Sequence, residues 1–91
     1  MIRSLQSIVT GKVQGVAFRA WVSGQADSLN VKGWARNLAD GAVEVLAQGD
    51  EAAVQELRTR LLGGSPLSRV HDVQSKWIEY DKEHERFEIR S

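Results

Sequence analysis

The chain has 91 residues, 42% hydrophobic and 26% charged, with 12 basic and 12 acidic side chains and no cysteine. This length fits a single domain over 1–91, and the composition excludes a wholly disordered chain, a disulfide framework and a thiolate zinc site. No apolar run approaches the ~20 residues of a membrane span, and the N-terminus lacks the apolar core of a signal peptide, so a cytoplasmic protein without a membrane partner is expected.

Neutrality hides an asymmetry. Residues 1–37 carry Arg3, Lys12, Arg19, Lys32 and Arg36 against Asp27 alone, whereas residues 38–91 carry the acidic excess. A large polyanion such as nucleic acid is an unexpected partner for a chain of zero net charge, but a positive N-terminal portion can serve a small anion.

Ser7-Ile8-Val9-Thr10 with Val13 predicts a first strand, β-branched and bounded by Gly11 and Gly15. A helix follows, since Phe18, Val22, Ala26 and Leu29 fall on one face of a 3.6-residue period. Asn30 suits the left-handed residue just past its end.

Asp40-Gly41 marks a hairpin with arms Val31–Leu38 and Ala42–Gln48. A two-residue turn on Asp40-Gly41 would pair odd positions with even ones and split the small and branched residues between faces. A type I turn over Ala39-Asp40 with Gly41 as a left-handed bulge restores matching parity. Val31, Ala35, Val43, Val45 and Ala47 then share one face, with Lys32, Trp34, Arg36 and Glu44 opposite, and this register is preferred.

Asp50 is the expected N-cap of a second helix, with Glu51 favourable against its dipole, a stripe of Ala53, Val54, Leu57 and Leu61, and Gly63 as its end. After Gly64-Ser65-Pro66, Val70–Tyr80 predicts a fourth strand with Val73, Ser75 and Trp77 on one face. Asp81–Glu85 reads as a solvated polar turn, and Phe87-Glu88-Ile89-Arg90 as a short last strand that extends the preceding hairpin. The resulting α+β order, β-α-β-β-α-β, packs most economically as an antiparallel sheet with two helices on one face, in the split βαβ arrangement.

Chemistry concentrates in Gly11-Lys12-Val13-Gln14-Gly15-Val16-Ala17-Phe18-Arg19, which joins a strand to a helix and ends in an arginine on the first helical turn. Successive N–H groups in such a turn form an anion-binding concavity, the helix start adds unpaired donors, and Arg19 adds a planar fork for phosphate oxygens. The same spacing also describes a tight turn with a solvated arginine. Neither G-x-x-x-x-G-K-[ST] nor G-x-G-x-x-G is present. Asn37 is the second candidate, although asparagine is also a common turn residue that bonds its own backbone.

These residues resemble a known family. Gly11 to Arg19 is similar to the first signature of the acylphosphatases, and Gly33-Trp34-Ala35-Arg36-Asn37, with Gly41-Ala42-Val43 and Gly49, resembles the second. The likeness extends over essentially the whole chain, including Gly64-Ser65-Pro66 and the closing Phe87-Glu88-Ile89-Arg90. The resemblance implies a ferredoxin-like fold and hydrolysis of acyl phosphates to carboxylate and inorganic phosphate, without metal or other cofactor. It also implies catalytic roles for Arg19 and Asn37. The phosphate-binding set is then Gln14, Gly15, Val16, Ala17, Phe18 and Arg19, and the expected partners are a small-molecule acyl phosphate and inorganic phosphate as product and inhibitor of a monomer. Departures from the family pattern are Lys12 for a common arginine, Ala17 for a larger or aromatic residue, Asn30 for a frequent glycine, and Ser75 in a usually branched strand.

Other residues invite plainer readings. His71 and His84 sit among polar neighbours as solvated histidines rather than metal ligands. Trp21 and Trp34 are expected on partly exposed faces and Trp77 in the core. Lys32-Gly33-Trp34-Ala35 echoes the start of an RNA-recognition signature, but Arg36 and Asn37 stand where apolar and aromatic residues should follow.

Overall fold

The computed structural model describes residues 2–91. Its elements are β1 (Ile2–Lys12), α1 (Phe18–Ser28), β2 (Lys32–Asn37), β3 (Val43–Asp50), α2 (Glu51–Gly63), β4 (Arg69–Ile78) and β5 (Phe87–Arg90). One five-stranded sheet has the order β4-β1-β3-β2-β5. β3 separates β1 from β2, and β1 separates β3 from β4, which is the split βαβ arrangement read from the sequence. α1 packs over β2 and β5, and α2 over β1, β3 and β4. The fold is ferredoxin-like.

Local chemistry explains most of these elements. Phe18, Val22 and Ala26 form the buried stripe of α1, and burial of a Phe- or Val-sized side chain contributes about 1.5–3 kcal/mol. Asn30 ends that helix at φ 57°. The hairpin takes the bulged register: Ala35 faces Val45, Asn37 faces Val43, and Gly41 lies at φ 95°. Val31, Ala35, Val43, Val45 and Ala47 consequently all reach the core. Within that hairpin Gly33 sits at φ 135°, where a β-carbon would fall 1.9 Å from the Leu46 carbonyl oxygen. Only glycine permits this approach of the two backbones.

The structure corrects several expectations. β1 begins at Ile2 rather than near Ser7, because β3 and β4 flank it on both sides and supply ladder partners for its polar first half. Ser7 and Ser75 meet across the β1–β4 ladder at 2.7 Å between hydroxyls, so the polar residue in β4 is matched by one opposite. Gly63 lies inside α2, and Gly64 at φ 73° closes the helix instead. Asp50 occupies the N-cap position without a side-chain cap hydrogen bond.

The largest difference concerns β5. It does not extend a hairpin with β4 but runs parallel to β2 at the opposite edge, Gly33 opposite Phe87 and Arg36 opposite Arg90, so the sheet is mixed rather than antiparallel. α1 overhangs that edge, and Phe87, 7% exposed, fills the space beneath it. Residues 79–86 therefore form a crossing over the second sheet face, not a hairpin turn. Gln48, only 3% exposed, clamps this crossing. Its Nε2 donates to the Lys82 carbonyl at 2.7 Å and to Ser4 Oγ at 3.1 Å, and its Oε1 accepts the His84 N–H at 2.9 Å.

That second face is more enclosed than an alternating strand suggests. Trp34, Glu44 and Leu46 are buried on it. Glu44 accepts from Gln6 at 2.5 Å and from Arg36 at 2.7 Å, and the Arg36 and Arg90 guanidinium groups lie over the Trp34 ring. Trp34 is thus covered, and Trp77 is half-buried at the core margin, its ring under Arg3.

His84 is half-buried rather than solvated, and its Nε2 is enclosed without a hydrogen-bond partner. Burial first, then the positive charges of Arg90 and Lys82, hold its pKa below the usual 6.5, against an opposing pull from Glu88. The unfolded chain therefore binds this proton more readily than the folded one. The His84 contribution to stability is complete above about pH 6.5 and declines as pH falls from there toward the lower folded value. Between about pH 7.5 and pH 5.5 the urea midpoint of the wild type should drop further than that of His84→Gln. Equal drops would show that His84 does not carry this dependence.

Candidate active site

β1 ends, β2 ends and β3 begins at the same end of the sheet, because β1 and β2 both run antiparallel to β3 with Val9 and Asn37 each opposite Val43. The loop after β1 and the turn after β2 are therefore neighbours. Between them and β5 lies a cleft of about 210 Å³ lined by Val13, Gly15, Ala17, Phe18, Arg19, Ala20, Asn37 and Ile89. Wider recesses exist, one of about 340 Å³ along residues 82–90. They lack a helix start or an ordered loop of N–H donors, whereas the smaller cleft has both and suits a small headgroup.

The loop reaches α1 through two left-handed residues. Gly15 lies at φ 74° and Ala17 at φ 58°, ψ 28°. Ala17 occupies the N-cap position, offers no side-chain cap, and no acidic residue stands in the first turn. Small side chains in this conformation are scarce outside glycine, and such backbone strain clusters where a ligand is held. The start of α1 has no side-chain cap, which leaves its first-turn N–H groups and the positive end of its dipole available where Ala17, Phe18, Arg19 and Ala20 line the cleft.

Arg19 projects from that first turn and is half-buried. Its Nη1 donates to the carbonyl oxygen of Arg90 in β5, which fixes the guanidinium against the cleft wall. Asn37, the last residue of β2, lines the same cleft as Arg19. Its Oδ1 is buried and accepts no hydrogen bond from the protein. The turn role expected of such an asparagine is performed by Asp40, whose Oδ1 accepts the Ala42 N–H at 3.0 Å. The Asn37 carboxamide is thus not consumed by the turn.

Of the six residues expected to hold phosphate, Gly15, Ala17, Phe18 and Arg19 line the cleft. Val16 is instead packed against the core. The Gln14 side chain turns toward the β2–β3 turn, where Nε2 donates to the carbonyls of Leu38 and Ala42, each at 2.8 Å. Sequence reasoning missed two further contributors, Ile89 in the lining and the Arg90 carbonyl. Their alternation signalled a strand, but nothing local signalled its edge.

Among the described residues, no three His, Cys, Asp or Glu side chains are grouped to hold a metal ion, and no helix is long and apolar enough to cross a membrane.

Comparison with known proteins bears on the family and the fold. The family model described as Acylphosphatase matches residues 5–89. An acylphosphatase of Nitrosococcus oceani is 44% identical over 90 residues, covering 99% of this chain and all of the relative. One from Caldanaerobacter subterraneus subsp. tengcongensis is 40% identical over 89 residues, covering 98% and 99% of the two chains. The crystal structure of acylphosphatase from Bacillus subtilis superposes with a TM-score of 0.93 at 40% identity, with both chains covered completely. With the family model matched over residues 5–89, a matched fold and full-length similarity, the chain belongs to the acylphosphatase family.

Proposed function

We propose that the hydrolysis of acyl phosphates entailed by this family membership proceeds without a metal ion, in a phosphate cradle made by the 14–19 loop and Arg19, with Asn37 orienting the attacking water. An acyl phosphate carries its own good leaving group, a carboxylate, so little acid catalysis is required. What limits the reaction is bringing water in line with a charged phosphoryl group and stabilising charge in a loose transition state. N–H groups of the loop and the first turn of α1 bind the phosphoryl oxygens, and the Arg19 fork adds charge-assisted hydrogen bonds.

The water oxygen attacks phosphorus as the bond between phosphorus and the acyl oxygen breaks, and the carboxylate departs with the bonding pair. An amide is neither acid nor base near neutral pH, so Asn37 acts by orientation. The water proton passes to a phosphate oxygen or to solvent. The observation carrying this reading is the pairing of Arg19 with an Asn37 carboxamide that lines the same cleft while Asp40 serves the turn.

Benzoyl phosphate hydrolysis by the purified protein should proceed unchanged in excess EDTA, and inorganic phosphate should inhibit competitively. Activity that disappears in EDTA and returns with a divalent cation would overturn the metal-free mechanism.

A further inference from the structure

We propose that the Gln14 carboxamide is a positioning residue for this hydrolysis: it ties the phosphate loop to the β2–β3 turn and thereby sets the span between Arg19 and Asn37. The inference rests on the water-orienting reading of Asn37, and it assigns Gln14 a part different from donating its own N–H to phosphate.

The two halves of the cleft belong to different structural units. The loop is anchored by Val13 and Phe18, both buried in the core, and Asn37 is carried by the hairpin. An in-line displacement depends on the distance between a phosphate held by one unit and a water held by the other, and a misplacement of about 1 Å can cost ~10²-fold. Gln14 is the side chain that crosses this gap. Both hydrogens of its Nε2 are used, on Leu38 O and Ala42 O at 2.8 Å each. Leu38 directly follows Asn37, so the bond holds the residue next to the end of the strand that carries the carboxamide.

The turn does not need Gln14 in order to form. The Leu38 N–H already donates to Ala42 O at 2.8 Å, Gly41 N–H to Leu38 O at 3.2 Å, and Ala42 N–H to Asp40. Gln14 occupies the second acceptor site of the two carbonyls that already close the turn. Its bonds therefore join the loop to a turn that is complete without them, which is a coupling role rather than a turn-forming one.

The test is a double-mutant cycle in benzoyl phosphate hydrolysis, with inorganic phosphate inhibition and urea midpoints measured alongside. Gln14→Met keeps the length and removes the donors. It should lower kcat about 10-fold while the phosphate inhibition constant stays within about 3-fold. In an Asn37→Ala background the same substitution should cost less than about 2-fold, because the group being aligned is gone.

A loss that multiplies in full with Asn37→Ala, or a phosphate affinity that falls as far as kcat, would overturn the proposal. Near-normal turnover by Asn37→Ala alone would instead defeat the water-orienting reading, and the Gln14 role with it. Gln14→Glu supplies a second readout if the methionine variant folds poorly. Its carboxylate cannot donate, but protonation restores one donor, so its kcat relative to wild type should recover as pH falls from about 8 to about 5. A flat ratio would count against the tie.

Discussion

Replacement of Arg19 by alanine is expected to lower kcat/KM for benzoyl phosphate by at least ~10²–10³-fold, the loss typical of removing one preorganised transition-state donor. The effect should fall on both arms of the kinetics. Arg19 meets the phosphoryl group in the ground state, so the inorganic phosphate inhibition constant should weaken. It also meets charge that spreads over the equatorial oxygens as the bond to the acyl oxygen breaks, so kcat should fall as well. Stability should change far less, since Arg19 is half-exposed and its protein hydrogen bond is a single one to the Arg90 carbonyl, a net contribution of about 1 kcal/mol. Arg19→Lys should recover only part of the activity, because an ammonium group cannot present two parallel N–H bonds to one phosphate while donating to the β5 carbonyl. Near-normal hydrolysis by Arg19→Ala would remove the guanidinium from the mechanism.

The part of the molecule that could be read from the sequence is the part governed by local rules. The parity of the hairpin followed from Asp40-Gly41, because turn chemistry and a period of two leave one register that buries Ala35 with Val45. α1 followed from a 3.6-residue spacing that the structure reproduces through Phe18, Val22 and Ala26. Arg19 and Asn37 were conspicuous for the same reason, each standing at the end of a short glycine-marked segment.

What escaped was long-range. The edge chosen by β5 depends on α1 overhanging that side of the sheet and on Gln48 holding residues 82–84, and neither leaves a trace in the four residues Phe87–Arg90. The bond from Arg19 to Arg90 spans 71 positions and the Gln14 bonds span 24 and 28. A polar side chain within a strand or loop shows no partner in the sequence until the fold brings a carbonyl to it. Gln48 and Gln14 were both of this kind, and each ties together segments that the sequence presents as separate.

Asn37→Ala should separate catalysis from stability more sharply than any other substitution at the cleft. If the carboxamide orients water, kcat should fall by about 10²-fold with the phosphate inhibition constant nearly unchanged, because the cradle of loop and arginine remains. Folding should not suffer. The Asn37 Oδ1 is enclosed without a partner, a condition that costs about 1–3 kcal/mol, so truncation removes a destabilising group along with a functional one. The urea midpoint of Asn37→Ala should therefore equal or exceed that of the wild type, the pattern expected where a residue is kept for activity at the expense of stability. Asp40→Ala provides the contrast. It deletes the acceptor of the Ala42 N–H and should lower stability by about 0.5–1.5 kcal/mol while leaving the cleft residues in place. If Asn37→Ala lost stability as Asp40→Ala does and kept its turnover, Asn37 would be a turn residue after all, and the attacking water would have to be oriented by the cradle itself.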